Sequence, residues 1–120
     1  MAWTSETDLG KGWTRYEQSS LADSGQSDYI DGRGITRIWW WHSDVEENDV
    51  IVQANLNPTL AGAGNEKTSM ADWSDAITLG EDHGSFKDIN YIPPYFRFKN
   101  ESGETLANLI VFVKRSFTTT

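Results

Sequence analysis

Three consecutive tryptophans lie within the run ITRIWWWH at residues 35–42 and constrain the fold more than any other feature. β-Branched and aromatic residues fill this run, which predicts a β-strand. Successive side chains of a strand point to opposite faces, so Trp39 and Trp41 share one face and Trp40 takes the other. Both faces therefore carry a large ring, and we expect each of them to meet an apolar surface.

The same two-residue alternation predicts further strands along the chain. They are expected at 12–18, 26–30, 50–57, 73–79, 86–92, 95–100 and 107–115, with turns at 43–49, 80–85 and 101–104. Residues 58–72 form a long connection without a strand period, and no segment keeps the spacing of an amphipathic helix. Short strands separated by turns at roughly 8–12 residues indicate an all-β fold, an antiparallel β-sandwich that resembles a jelly roll.

Length and composition indicate a single domain that covers residues 1–120. The chain has no cysteine, which excludes a disulfide framework, a thiolate metal site and a cysteine nucleophile. Between Glu17 and Gly34 the chain has few apolar side chains. Residues 1–34 therefore form either a meander of the domain or an arm that orders against a neighbour. No signal peptide and no membrane-spanning run is visible, so we expect no membrane partner.

The formal net charge of −8 argues against nucleic acid as a direct partner. The charge is uneven, because residues 97–115 carry four basic and two acidic side chains, a balance of +2 that leaves −10 for the remainder. Two interpretations of this basic segment stay open. It orients contacts in an assembly, or its cations are solvated and protect the edges of strands.

No motif in the chain points to catalysis, a cofactor or a metal. His42 and His83 are far apart in sequence, and no serine lies in a nucleophile-elbow pattern. The acidic residues at 44–49 and 72–75 lack the loop pattern that binds calcium, so solvated turns are favoured. We therefore predict a protein that is not an enzyme and has no catalytic, cofactor-binding or metal-binding residues.

The aromatic residues are the strongest indication of function. Fifteen of the 120 residues are Phe, Trp or Tyr, and large rings dominate interface energetics and also stack on sugars. By alternation, Trp39 and Trp41 share a face with Ile35 and Arg37, whereas Trp40 shares the other face with Ile38. We expect Trp40 to lie inside, and the Trp39/Trp41 pair to contact a subunit or a capsid beside Arg37.

Two further tryptophans lie in the polar N-terminal region, which offers few apolar neighbours for a core. We expect Trp3 and Trp13 to dock onto a neighbouring subunit. The complete set of candidate interface residues is Trp3, Trp13, Arg37, Trp39 and Trp41.

A particular order of segments runs through the second half of the chain: VIVQANLN (50–57), a long glycine-containing loop, WSDAITL (73–79), YIPPYFRFKN (91–100), a short turn and NLIVFVKR (108–115). In this order residues 35–115 resemble small β-sandwich structural proteins of tailed bacteriophages, which decorate capsids or serve as tail accessories. The resemblance implies a capsid decoration, or cement, protein in the virion, assembled in the host cytoplasm. It further implies a homo-oligomer, with a homotrimer favoured, bound to a major capsid protein.

Two other functions stay open. Carbohydrate-binding modules and lectins share much of this strand order, and they would use the same tryptophans with a glycan as partner. In that case Gln53, Asn55 and Asn57 would be available for the sugar hydroxyl groups. A phage tail or baseplate adaptor would act through the same physics as a decoration protein, and sequence alone does not separate the two.

Overall fold

The computed structural model describes residues 3–43, 49–55, 73–85 and 94–116. Within these ranges the regular elements are nine β-strands. They are β1 (Ser5–Gly10), β2 (Trp13–Leu21), β3 (Ile30–Asp31), β4 (Ile35–His42), β5 (Val50–Asn55), β6 (Trp73–Leu79), β7 (His83–Ser85), β8 (Tyr95–Asn100) and β9 (Leu106–Arg115). The described part of the chain has no helix long and apolar enough to cross a membrane.

The strands form two antiparallel sheets around one apolar core. The five-stranded sheet has the order β1-β2-β9-β4-β7, and the four-stranded sheet has the order β3-β8-β5-β6. Val111 and Val113 of the first sheet are fully buried in the same cluster as Phe96 and Phe98 of the second. This arrangement confirms the predicted all-β, sandwich-like fold, whereas the jelly-roll variant stays a prediction.

Several strand boundaries agree with the alternation of the sequence. The strands at 35–42, 73–79 and 95–100 have the predicted limits, and the last strand begins one residue earlier than expected. These segments alternate cleanly or are rich in β-branched and aromatic residues, so local sequence is sufficient to define them. The predicted strand at 86–92, the connection at 58–72 and most of the turn at 43–49 lie outside the described residues.

Three predictions about strands were wrong. Strand β1 was not expected, because its sequence SETDLG has a single large apolar residue. Strand β7 lies inside the segment 80–85 that was predicted as a turn, and it pairs with β4. The predicted strand at 26–30 is reduced to one bridge between Gln26 and Lys99 and to the first residue of β3.

The described part of residues 1–34 contributes to both sheets and to the core. Strand β2 pairs with β9 along its length, and Leu21 and Ile30 are almost completely buried. The turn between β1 and β2 requires glycine at Gly12, where φ is 86° and a Cβ atom would lie 2.4 Å from the carbonyl oxygen of Arg115. This tight contact fixes the hairpin against the end of β9.

A β-bulge changes the faces predicted for the start of β4. The register with β9 shifts between Ile35 and Arg37, so one extra residue is inserted there. As a result Ile35 is 8% exposed and belongs to the core, although simple alternation placed it with Trp39. Arg37 remains exposed.

Candidate functional site

The outer face of the five-stranded sheet carries the exposed tryptophans. Trp39 and Trp41 are 48% and 41% exposed, respectively. Trp40 is partly buried and packs against the core cluster that contains Ile38. The structure therefore confirms that the three rings divide between the two faces of β4, with Trp40 on the core side.

The central strand β9 continues this outer face. Phe112 lies opposite Trp39 and Ile110 lies opposite Trp41, and directly opposite residues of antiparallel strands share a face. Phe112 and Ile110 are only partly buried and are not part of the core cluster. We call this surface the tryptophan face. It consists of three rows across the sheet: Arg15, Phe112, Trp39 and Ser85; Glu17, Ile110, Trp41 and His83; and Trp13, Lys114 and Arg37.

The charged side chains of the tryptophan face differ in their partners. The Arg15 guanidinium forms a salt bridge of 2.8 Å with the Glu17 carboxylate. Lys114 lies opposite both Trp13 and Arg37, and its Nζ is 5.9 Å from the centroid of the Trp13 ring. Neither Lys114 nor Arg37 forms an ion pair with an acid among the described residues. We call the row of Trp13, Lys114 and Arg37 the basic row.

Strand β7 supports β4 from the edge of the sheet. Gly84 lies opposite Trp40, and a Cβ atom at Gly84 would be 2.7 Å from Cζ2 of the Trp40 ring. The indole Nε1 of Trp40 donates a hydrogen bond of 3.4 Å to the carbonyl oxygen of Glu81. The absence of a side chain at Gly84 therefore lets the Trp40 ring lie on the edge strand. This contact holds the strand that presents Trp39 and Trp41.

The two histidines lie on the neighbouring strands β4 and β7, a proximity that the sequence did not indicate. His42 is fully buried, and its Nε2 is 3.1 Å from the carbonyl oxygen of Glu81. His83 is exposed beside Trp41, and its Nδ1 is 2.9 Å from the Asp82 carboxylate, which lowers the pKa of Asp82. The described residues hold no group of three side chains that could bind a metal ion.

Of the two N-terminal tryptophans predicted as interface residues, only Trp13 lies on the tryptophan face. Trp3 is partly buried and packs against the core, with its ring centroid 5.3 Å from that of Tyr16. Its ring is therefore engaged within this chain. Trp13 belongs to the basic row, where Lys114 covers part of its ring.

The outer face of the four-stranded sheet is a network of polar and aromatic side chains. The Nε of Arg97 donates a hydrogen bond of 2.8 Å to Oε1 of Gln53, whose Nε2 donates one of 2.8 Å to the Asp75 carboxylate. The same guanidinium lies 4.3 Å from the centroid of the Trp73 ring, and burial lowers the pKa of Arg97. Gln53 and Asn55 are buried. They belong to the other sheet, so they cannot supply hydroxyl-binding groups beside Trp39 and Trp41.

An open cleft of about 1000 Å³ lies between the β1–β2 hairpin and residues 29–33. The Arg33 guanidinium pairs with both carboxylate oxygens of Asp31 and lowers the pKa of that carboxyl. Nη2 of Arg115 donates to the Tyr16 hydroxyl at 3.4 Å and to the Asp31 carbonyl oxygen at 2.9 Å. Burial raises the pKa of Tyr16. These groups bind one another and link the hairpin to the second sheet, so the cleft is not our candidate site.

Sequence reasoning missed seven members of the tryptophan face, namely Arg15, Glu17, His83, Ser85, Ile110, Phe112 and Lys114. The run LIVFVKR is apolar on both of its faces, as is WWW, and that shared feature could have indicated that β9 is central and has an outward apolar side. The central position of β9 also means that Lys114 does not protect a strand edge. No local signal indicated His83, because β7 is three residues long and contains a glycine.

Comparison of the chain with protein-family models, with curated proteins and with solved structures found no match. The resemblance to virion β-sandwich modules therefore stays a prediction, and the geometry of the tryptophan face is the main basis for a functional proposal.

Proposed function

We propose that the protein is a non-enzymatic virion structural protein, most concretely a capsid decoration protein, that attaches through the tryptophan face. The exposure of Trp39 and Trp41 on a sheet face that also carries Ile110 and Phe112 is the observation that carries this proposal. Contiguous exposed apolar patches mark interaction sites, and tryptophan is enriched among the residues that dominate binding energy. A partner that covers this face removes apolar surface from water and leaves the core unchanged.

The size of the face favours attachment by an oligomer. The face spans four strands about 4.8 Å apart and three rows about 7 Å apart, so with the breadth of its side chains it measures roughly 20 Å each way, an area on the order of 400 Å². This is about half of the ~800 Å² that each partner buries in a standard interface. One copy therefore binds weakly, whereas linked copies on a repeating surface bind strongly in sum. A homotrimer on a shell of major capsid protein in the virion has this geometry.

Co-sedimentation with capsids tests the proposal. The probe is the capsid assembled from the major capsid protein encoded in the same genome as this chain. We expect the parent protein to pellet with capsids and the Trp39→Ser/Trp41→Ser variant to lose at least a hundredfold in apparent affinity, because two central indoles are removed. Trp73→Ser, on the outer face of the four-stranded sheet, is the matched control and should bind as the parent does.

Two outcomes contradict the proposal. One is a parent protein that is strictly monomeric by light scattering and does not pellet with capsids. The other is equal binding by the parent and by the Trp39→Ser/Trp41→Ser variant. A protein that attaches to tails or baseplates and not to capsids, with the same dependence on Trp39 and Trp41, identifies the adaptor as the correct function of this face.

Carbohydrate binding is the second candidate, and one observation favours it. Trp39 and Trp41 are two residues apart on one face of a strand, which separates their Cα atoms by about 7 Å and offers two rings to a sugar chain. Against it, Gln53 and Asn55 lie on the other sheet. A glycan array decides between the candidates: a signal that the Trp39→Ser/Trp41→Ser variant loses supports the lectin, and an array without signal excludes it.

A further inference from the structure

We propose that the basic row is a subsite for the acidic side chains of the protein on which this chain docks. Arg37 and Lys114 lie directly opposite each other on β4 and β9. Like charges in directly opposite positions of neighbouring strands are destabilising. The register therefore places two cations in neighbouring positions of the face, where an anion between them would offset their mutual repulsion.

The chain itself does not supply this anion among the described residues. Acidic residues outnumber basic ones by 18 to 10, and one row away Arg15 has its own carboxylate partner, Glu17, at 2.8 Å. Arg37 and Lys114 have no such partner in the described part of the chain. Strand β9 is central, so a role in protecting a sheet edge does not explain Lys114.

The surroundings of the row indicate which anion it accepts. The guanidinium offers a planar set of donors that suits a carboxylate, and the ammonium offers a second charge beside it. Trp13 lies beside Lys114, and Trp39 follows Arg37 on the same face of β4, so apolar surface flanks both cations. An acidic and partly apolar protein surface complements this combination, and it would also be steered towards the only strongly basic part of the tryptophan face.

This inference rests on the proposed docking function, but its test does not need the capsid. Binding of poly-L-glutamate to the full chain is measured at low and high salt. We expect the parent to bind, with an affinity that falls as salt rises. Arg37→Gln and Lys114→Gln should each weaken binding about two- to fivefold, and the double variant about tenfold, which is the range for exposed charge pairs. Lys11→Gln removes an exposed cation from the β1–β2 turn and should leave binding unchanged.

A second readout keeps the test valid if binding is weak. Because Arg37 and Lys114 repel each other, each single substitution should raise the melting temperature at low salt, and the rise should disappear at high salt. A melting temperature that falls in both variants overturns the premise that the pair is unfavourable.

Three results overturn the proposal. They are a parent that does not bind poly-L-glutamate, a double variant that binds it as the parent does, and a parent that binds polygalacturonate or double-stranded DNA more tightly than poly-L-glutamate at equal charge concentration. The docking function fails separately, because it depends on Trp39, Trp41 and capsids. If the parent binds capsids but the Arg37→Gln and Lys114→Gln substitutions leave poly-L-glutamate binding unchanged, only the subsite is overturned.

Discussion

The outer faces of the two sheets use similar residues in opposite ways. On the four-stranded sheet, Arg97 lies over the Trp73 ring and donates a hydrogen bond to Gln53. On the five-stranded sheet, Trp39 and Trp41 are nearly half exposed, and Arg37 has no acidic partner among the described residues. The first face satisfies its polar and aromatic groups within the chain. The second leaves both kinds of group available, which is the property expected of a surface that meets another molecule.

The largest expected difference between the faces is in stability. Arg97→Ala should lower the free energy of unfolding by about 1–3 kcal/mol, because it leaves the buried Oε1 of Gln53 without its donor and uncovers Trp73. Arg37→Ala should not lower it, because Arg37 has no described acidic partner to lose. Urea denaturation of both variants measures this, and equal losses would show that the two faces do not differ as described.

The support of the tryptophan face by its edge strand gives the next prediction. Gly84→Ala should destabilise the fold by about 1–2 kcal/mol, because the new Cβ overlaps the Trp40 ring. Gly80→Ala is the matched control, since no atom lies within 4 Å of a Cβ atom there. Thermal unfolding compares the two variants. If both melt alike, the Trp40 ring does not pack on Gly84 in solution.

A smaller effect is expected for the exposed rings themselves. Trp39→Thr should change the free energy of unfolding by less than about 0.5 kcal/mol, because the ring is outside the core and threonine suits a strand. Trp40→Thr, one residue along the same strand, should cost clearly more, since that ring packs against the core. Chemical denaturation of the pair measures the contrast, and a large loss for Trp39→Thr would assign that ring a structural role.

The smallest effect on stability at neutral pH is expected for Tyr16, on the inner face of the five-stranded sheet. Burial raises the pKa of Tyr16 above its usual value near 10, so the ionised phenolate is disfavoured in the folded state. The stability that depends on the neutral phenol is fully present below pH ~10 and is lost as the pH rises through the raised pKa of the folded state. Tyr16→Phe should therefore lose less stability than the parent between neutral and strongly alkaline pH. Parallel curves for the two proteins would contradict the assignment.

Much of the fold was predictable because it depends on local alternation. The run at 35–42 gave the correct limits of β4, and its alternation separated Trp40, which was expected inside with Ile38, from Trp39 and Trp41. The burial of Ile35 in the core was not predictable, since a β-bulge is set by the register with a partner strand and not by the run itself. Strand β7 was missed for the same reason, because its three residues form a strand only through pairing with β4.

The site was less predictable than the fold. Alternation identifies which residues of one strand share a face, but the composition of the whole face depends on which strands are neighbours. The positions of Phe112 opposite Trp39 and of Lys114 between Trp13 and Arg37 follow from the order β2-β9-β4, which brings together segments about 75 to 100 residues apart. The basic segment at 97–115 was visible in the sequence, but its division between an outward Lys114 and an inward Arg115 was not.

The most direct test of capsid attachment through the tryptophan face is a cryo-electron microscopy map of capsids to which the purified protein has been added. We expect density for the sandwich with the tryptophan face against the capsid protein and with Trp39 and Trp41 covered. The four-stranded sheet should then face away from that contact. A bound sandwich that turns the tryptophan face to solvent would contradict attachment through this face.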